Sequence, residues 1–161
     1  MATNKSRNPD PRNALGSTPW GQTSTLRFVL QTSATGALVN GTLATPIASG
    51  DKLVLGTIPA GFRVVDSQII VSTPLTAAVV GDVGFEYADG VDVPAVPQDA
   101  DYFGAALVLN AAGRLRNGTT NPTVCLPKDA SLIVTTGGAA NAKAGKVEIL
   151  LTVVAEGVAT V

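Results

Sequence analysis

Apolar and polar residues alternate strictly along the last long stretch of the chain. Residues 147, 149, 151 and 153 are Val or a larger aliphatic, while Lys146, Glu148 and Thr152 fall between them. A period of two residues is typical of a β-strand that buries one face. The same alternation occurs at residues 26–30 and 83–87, and no window shows helical periodicity with caps. The pattern therefore predicts an all-β protein.

Shorter runs of β-branched and aromatic residues extend this pattern over the rest of the chain. They predict strands at residues 52–55, 62–72, 102–109, 123–126 and 132–135, although 102–109 is compatible with a helix as well. Asn40-Gly41 predicts a tight hairpin turn, and the alternation changes phase near Asp66, which indicates a bulge or a bend. About eight strands separated by Gly, Pro and Asn turns predict a single β-sandwich or jelly-roll-like domain.

Residues 1–24 differ from everything that follows. They contain Pro9, Pro11 and Pro19 among polar residues, with three basic side chains and one acidic one. Because such a segment buries too little apolar surface to offset the entropy of ordering, it predicts a flexible, extended N-terminal arm. The domain is then expected over residues 25–156, which contain eight basic and eleven acidic residues, and a short tail over 157–161.

Charged residues are scarce for a protein of this size. They make up 14% of the 161 residues, whereas hydrophobic residues make up 45%; a typical soluble domain has about 25% charged residues. A free monomer would expose a largely uncharged surface. Either copies of the chain or a partner protein cover much of that surface, or Thr and Ser hydroxyls keep it soluble.

The absence of histidine closes most catalytic templates. With His absent and Cys125 the single cysteine, neither a His-based nucleophile pair nor a disulfide nor a zinc cluster is available. We therefore expect no enzyme activity, no cofactor and no small-molecule substrate. A net charge of -1 and the lack of a long apolar run argue against nucleic-acid and membrane partners. The polar start of the chain predicts synthesis in a cytoplasm without general secretion.

Half of the chain's acidic residues lie in one segment, which contains no basic residue: Asp82, Glu86, Asp89, Asp92, Asp99 and Asp101. Clustered carboxylates could bind calcium, but the calcium-loop pattern is missing. A carboxylate pair for glycoside cleavage is a weaker alternative. A solvated acidic loop, or an acidic patch that meets the basic arm of a neighbour, is the favoured explanation of the cluster.

The arm carries the candidate binding residues. Lys5, Arg7 and Arg12 could pair with acidic groups of a partner, although exposed ion pairs are individually weak. Trp20 lies where the arm meets the domain. It either fills one end of the core or anchors an interface. We therefore take Lys5, Arg7, Arg12 and Trp20 as the predicted partner-binding set.

Three segments share a pattern with a known family: Leu-Gly-Thr-Ile-Pro-Ala-Gly-Phe-Arg-Val-Val-Asp at residues 55–66, Gly-Asp-Val-Gly-Phe-Glu-Tyr at 81–87, and Gly-Lys-Val-Glu-Ile-Leu-Leu-Thr-Val-Val at 145–154. The chain resembles the cement or decoration proteins of tailed-bacteriophage heads. The resemblance covers roughly residues 50–90 and 130–156 and brings no functional residues with it.

The resemblance implies a structural role on the exterior of a virion. Proteins of this family add to the outside of an assembled capsid as trimers or dimers, and they clamp neighbouring major capsid subunits together. For this chain it implies binding to a major capsid protein and to itself, with a homotrimer favoured over a dimer. Other readings are a collar, tail or head-fibre base protein and, from another class, a carbohydrate- or calcium-binding β-sandwich module.

Overall fold

Strands dominate the computed structural model, which describes residues 2–5, 23–116 and 119–157. Among these residues there is no helix, and so none that could span a membrane. The strands are β1 (Thr3–Lys5), β2 (Thr23–Thr32), β3 (Lys52–Ile58), β4 (Phe62–Thr73), β5 (Val80–Tyr87), β6 (Asp99–Val108), β7 (Gly113–Arg116), β8 (Val124–Cys125), β9 (Ala130–Gly137) and β10 (Gly145–Ala155).

The strands form two sheets that pack face to face. One sheet has the order β1-β3-β9-β5-β6, and the other has the order β2-β10-β4-β7 with β8 beside β4. All pairs are antiparallel except β1 with β3. Without β1 and β8, successive strands follow the two Greek keys of a jelly roll. The predicted all-β sandwich is therefore confirmed.

The core lies between the sheets and is supplied by alternate residues of each strand. In β10, Val147, Ile149, Leu151 and Val153 are all buried. β10 is the central strand of its sheet, flanked by β2 and β4. Full burial of each such side chain contributes about 1.5–3 kcal/mol, so the pattern that predicted this strand also explains its central position.

The bulge expected near Asp66 is present in β4. Thr152 pairs with Asp66, whereas Val153 pairs with Val64, so that Val65 has no partner on β10. An extra residue of this kind bends the strand and reverses its alternation. The side chain of Val65 consequently faces outward and is 38% exposed.

Several local expectations need correction. Residues 102–108 belong to β6, so the predicted strand is present and the helical alternative is excluded. Asn40-Gly41 forms a turn, in which Asn40 has a φ of 59° and Gly41 N donates to Leu38 O at 3.1 Å. It lies in the long β2–β3 connection, between isolated bridges, instead of joining two strands as a hairpin.

Two strands include residues of the predicted arm. Residues 3–5 form β1, which pairs with β3 in the first sheet, and β2 begins at Thr23. Residues 6–22 and most of the predicted tail, 158–161, lie outside the described residues. The flexibility of the arm and the domain limits stay predictions.

Candidate interaction surface

The arginines of the described residues share one surface of the molecule. They lie on strands of the β2-β10-β4-β7 sheet, at positions that alternate with core residues. Because successive side chains of a strand point to opposite faces, these arginines point away from the core. We define the outward side of this sheet as the arginine face. Its arginines are Arg27 on β2, Arg63 on β4, and Arg114 and Arg116 on β7.

Strand register sets these arginines among aliphatic side chains. Leu150 of β10 pairs with Arg27 on one side and with Gln68 on the other, and Gln68 pairs with Arg116. In the next row, Ile70 pairs with Arg114. Side chains that face each other across neighbouring strands lie close enough to interact.

Outward positions of this sheet are less polar than those of a solvated antiparallel sheet, where polar residues normally face water. Four outward positions hold aliphatic side chains that are half-buried: Val29, Ile70, Leu150 and Val154. Protein interfaces are enriched in Arg relative to the rest of the surface, and their centres are depleted of Lys, Glu and Asp. Aliphatic groups interspersed with guanidinium groups therefore suit this face to bind another protein.

Two arginines of the face are held by carboxylates of the same sheet or its end. Arg27 Nε donates to Glu148 Oε1 at 2.9 Å, and Arg63 Nε donates to Glu156 Oε1 at 2.7 Å. The hydrogen bond from Arg27 lowers the pKa of Glu148, and the one from Arg63 lowers the pKa of Glu156. The pairs are too exposed to add much stability, but they fix the orientation of both guanidinium groups. Arg63 Nη1 also donates to Thr123 Oγ1 at 3.3 Å.

The two arginines of β7 are held less firmly. Arg116 pairs with Asp66, yet its side chain is 72% exposed. Arg114 Nη1 lies 3.5 Å from Gln68 Oε1. Arg114 forms no ion pair with any carboxylate of the described residues. Apart from the Nη1 donor that contacts Gln68, the N–H donors of its guanidinium group are therefore available to carboxylates or carbonyl groups of a partner.

Acidic residues concentrate on the other side of the sandwich. Of the eleven in the described part of the chain, eight lie on the β1-β3-β9-β5-β6 sheet or next to its strands: Asp51, Asp82, Glu86, Asp89, Asp92, Asp99, Asp101 and Asp129. Because the outer faces of two stacked sheets point in opposite directions, the domain has a basic face and an acidic one. A small net charge conceals this asymmetry.

The acidic segment singled out from the sequence does not come together as a metal site. Asp82 Oδ1 accepts a hydrogen bond from Ala106 N at 2.7 Å, and Glu86 pairs with Lys52 at 2.6 Å. Asp89 pairs with Lys128 at 2.8 Å, and that bond lowers the pKa of Asp89. Within residues 2–5, 23–116 and 119–157, no group of three or more potential ligands is placed to hold a metal ion.

Asp99 and Asp101 lie close enough to interact. A side-chain hydrogen bond with Asp99, followed by its negative charge, raises the pKa of Asp101. The negative charge of Asp99 destabilises the ionised form of Asp101. This corner of the acidic side is therefore suited to approach by a cation of a partner.

Of the four predicted binding residues, Lys5 alone lies in the described part of the chain, and it is not on the arginine face. Lys5 is exposed on β1, at the edge of the other sheet, while Arg7, Arg12 and Trp20 lie outside the described residues. The arginine face itself was missed, because its members are single residues on three strands. The alternation at residues 26–30 and 62–72 places Arg27 and Arg63 outward, but the sequence pattern did not predict β7, which carries the other two arginines.

Comparison with known proteins gives matches at the level of structure. No protein-family model and no curated protein matches the chain. A chain of the structure described as "Capsid of Ralstonia phage GP4" matches with a TM-score of 0.63 and 20% identity, over 99% of this chain and 100% of that one. A chain of "Cyanophage Pam1 capsid asymmetric unit" matches with a TM-score of 0.54 and 11% identity, over 92% and 97%. At these identities the likeness establishes a shared fold.

Proposed function

We propose that the chain is a structural protein of a bacteriophage head that binds the outside of the capsid and cements neighbouring major capsid subunits. The observation that carries the proposal is the likeness to chains from two phage capsid structures, which extends over nearly the whole of both partners. The matched chains are therefore of about the same length as this one. The pattern at residues 55–66, 81–87 and 145–154 independently resembles cement proteins.

The surface of the domain suits such a role. The arginine face combines aliphatic side chains with guanidinium groups, and Arg114 has no carboxylate partner among the described residues. Repetition of one contact over a shell multiplies modest affinities, so each copy needs only a small patch. We assign the shell-binding surface to the arginine face together with the arm residues.

The arm completes the proposed mechanism. It supplies three cations and one large aromatic ring, from Lys5, Arg7, Arg12 and Trp20. A polar segment that orders on contact can cover a large area of a partner. We further propose that the protein is made in the host cytoplasm, assembles as a homotrimer, and occupies the exterior of the virion. Neither an enzyme activity nor a cofactor enters this mechanism.

Replacing both arginines of β7 with alanine should weaken capsid binding about tenfold or more, which corresponds to about 1.4 kcal/mol. The reason is that both guanidinium groups are exposed on the arginine face. Binding of Arg114→Ala/Arg116→Ala to capsids that lack the protein is measured by co-sedimentation over a range of salt concentrations.

The matched control removes the same charge from the opposite sheet. Lys52→Ala/Lys128→Ala changes the net charge equally, but both lysines pair with acids of the acidic side. We expect this variant to bind as the original chain does. An equal loss for both variants would reduce the effect to net charge, and full binding by the arginine variant would exclude this face.

The contribution of the arm is measured in the same assay. Arg7→Ala/Arg12→Ala/Trp20→Ala leaves β1 and β2 intact, unlike a deletion of residues 1–24. We expect a loss of binding that is larger at low salt, because part of the attraction is electrostatic. Undiminished binding would remove the arm from the mechanism.

A further inference from the structure

The N-terminal strand β1 lies at an edge of the first sheet and forms hydrogen bonds along both of its sides. β1 lies parallel to β3, with Asn4 opposite Leu53. Lys52 N donates to Ala2 O at 3.1 Å, and Ala2 N donates to Asp51 Oδ1 at 3.1 Å. The backbone of this short segment is therefore bound to β3 as an added strand.

The opposite side of β1 is also bound. Thr42 N donates to Lys5 O at 3.0 Å. The side chain of Asn4 is buried, with the residue 4% exposed, and its Oδ1 accepts hydrogen bonds from Leu43 N at 3.2 Å and from Thr42 Oγ1 at 3.4 Å. We define Gly41, Thr42 and Leu43 as the Asn4 socket.

Gly41 leaves the space that the socket needs. A Cβ at this position would lie 2.5 Å from Asn4 Oδ1, so any side chain here would displace the amide. Backbone hydrogen bonds along an open sheet edge, combined with one side-chain pocket, are the means by which many domains bind an extended peptide. The edge of β3 with the Asn4 socket is thus a binding site for a short strand with a central Asn.

Nothing in these contacts requires that strand and site belong to one chain. Residues 6–22 separate β1 from β2, and 17 residues can span up to about 55 Å when extended. Among the elements of the described residues, β1 packs against β3, and the core that β2 to β10 enclose does not depend on it. Exchanging β1 between copies would therefore keep every contact and cost little.

We propose that the Asn4 socket binds residues 2–5 of a neighbouring copy, so that β1 is exchanged between subunits. The inference rests on the proposed function in one respect, because a shell holds copies side by side and gives the exchanged strand a high effective concentration. Strand exchange then links the subunits of the outer layer to each other. The arginine face remains free to bind the shell beneath.

Disulfide trapping tests the exchange. Lys5 and Val54 are register partners, and neighbouring strands place Cα atoms within disulfide range, about 4.4–6.8 Å apart. In a Cys125→Ser background, Lys5→Cys and Val54→Cys are introduced into two differently tagged chains, which are co-expressed, assembled and oxidised. Exchange predicts a covalent heterodimer of the two single variants, and a ladder of linked chains for the double variant.

A positive control shows that oxidation succeeds. Thr57→Cys/Ser131→Cys joins register partners of β3 and β9 within one chain and should give an intrachain bond only. The exchange is overturned when the control bond forms but the double variant at positions 5 and 54 gives only an intrachain bond, or none. Asn4→Ala should lower the heterodimer yield several-fold, whereas the exposed neighbour substitution Thr3→Ala should not.

The outcome is separable from that of the proposed function. Capsid binding is measured on the Cys125→Ser chain without the added cysteines, because Lys5 belongs to the proposed shell-binding set. Capsid binding with intrachain bonds alone would retain the cementing role and reject the exchange. Interchain bonds in a protein that does not bind capsids would retain the exchange and reject the cementing role.

Discussion

Replacing Asn141 with alanine is expected to lower the free energy of unfolding by about 2–4 kcal/mol. Asn141 lies in the β9–β10 connection but is only 1% exposed. Its Nδ2 donates to Thr32 Oγ1 at 3.1 Å and to Lys143 O at 2.8 Å, and its Oδ1 accepts from both Thr76 N and Thr76 Oγ1 at 3.0 Å. Alanine would remove all of these hydrogen bonds and leave Thr76 N without its acceptor, while Thr32 Oγ1 would keep its bond to Lys143 O.

The measurement is thermal and urea denaturation of the purified chain. A domain of this size loses about 2–4 °C of Tm for each kcal/mol, so the variant should melt roughly 5–12 °C lower. Lys143→Ala is the matched control, since the side chain is exposed and the carbonyl that Asn141 contacts is unchanged. Equal melting temperatures for the two variants would show that the hydrogen bonds of Asn141 are dispensable.

Asn141 stabilises one end of the sandwich because it connects three chain segments. Besides the end of β2 and the connection before β5, it contacts Gly36 O through Nδ2 at 3.4 Å. A Cβ on Gly36 would lie 2.1 Å from Asn141 O, so the backbones of the two segments approach too closely for a side chain at position 36. Residues 137–145 are mostly Gly and Ala, and nothing in their sequence marks Asn141 as buried. Which loop residue is buried depends on where the sheets place the loop ends, and no local pattern encodes that.

The parts of the fold that could be predicted are those encoded locally. The strand β10 follows from the alternation of apolar and polar residues, and the bulge at Asp66 follows from a change of phase in that alternation. Both patterns are visible within about ten residues. β7 and β1 were missed for the opposite reason. Residues 113–116 contain one apolar side chain, Leu115, and β1 contains none. Such edge strands form because a neighbouring strand has unpaired backbone N–H and C=O groups. Which strand has these groups is decided by the folded sheet and not by the local sequence.

The candidate surface shows the same division. Composition alone predicted the arm and a surface poor in charge, and the basic arm residues were chosen because they are adjacent in sequence. The arginine face includes residues as distant in sequence as Arg27 and Arg116, which fall in one row across the sheet only through the pairing of β2, β10, β4 and β7. Aliphatic outward residues such as Leu150 favour coverage by another protein over a surface kept soluble by hydroxyls alone.

Gly84 is a position at which the addition of a single methyl group should strongly destabilise the fold. An added Cβ would lie 2.1 Å from Asp99 O and 2.4 Å from the carbonyl carbon of Ala100. These are backbone atoms of β6, which passes over β5 where the register shifts between Val83 and Phe85. Gly84→Ala would push the two strands apart, and we expect a loss of about 3 kcal/mol, at the upper end of the cost of overpacking a core.

Gly113→Ala provides the opposite expectation at a matched site. Gly113 also lies in a strand, yet nothing is within 4 Å of its added Cβ, so alanine should be neutral or stabilise the fold by up to about 1 kcal/mol through the unfolded state. Urea denaturation measures both variants. Near-UV circular dichroism should change only for Gly84→Ala, because Phe85 contacts Tyr102 at a centroid distance of 5.4 Å across the same strand pair. A Gly84→Ala protein as stable as Gly113→Ala would mean that β5 and β6 are further apart at this point, and the bulged pairing that forms this edge of the sheet would have to be redrawn.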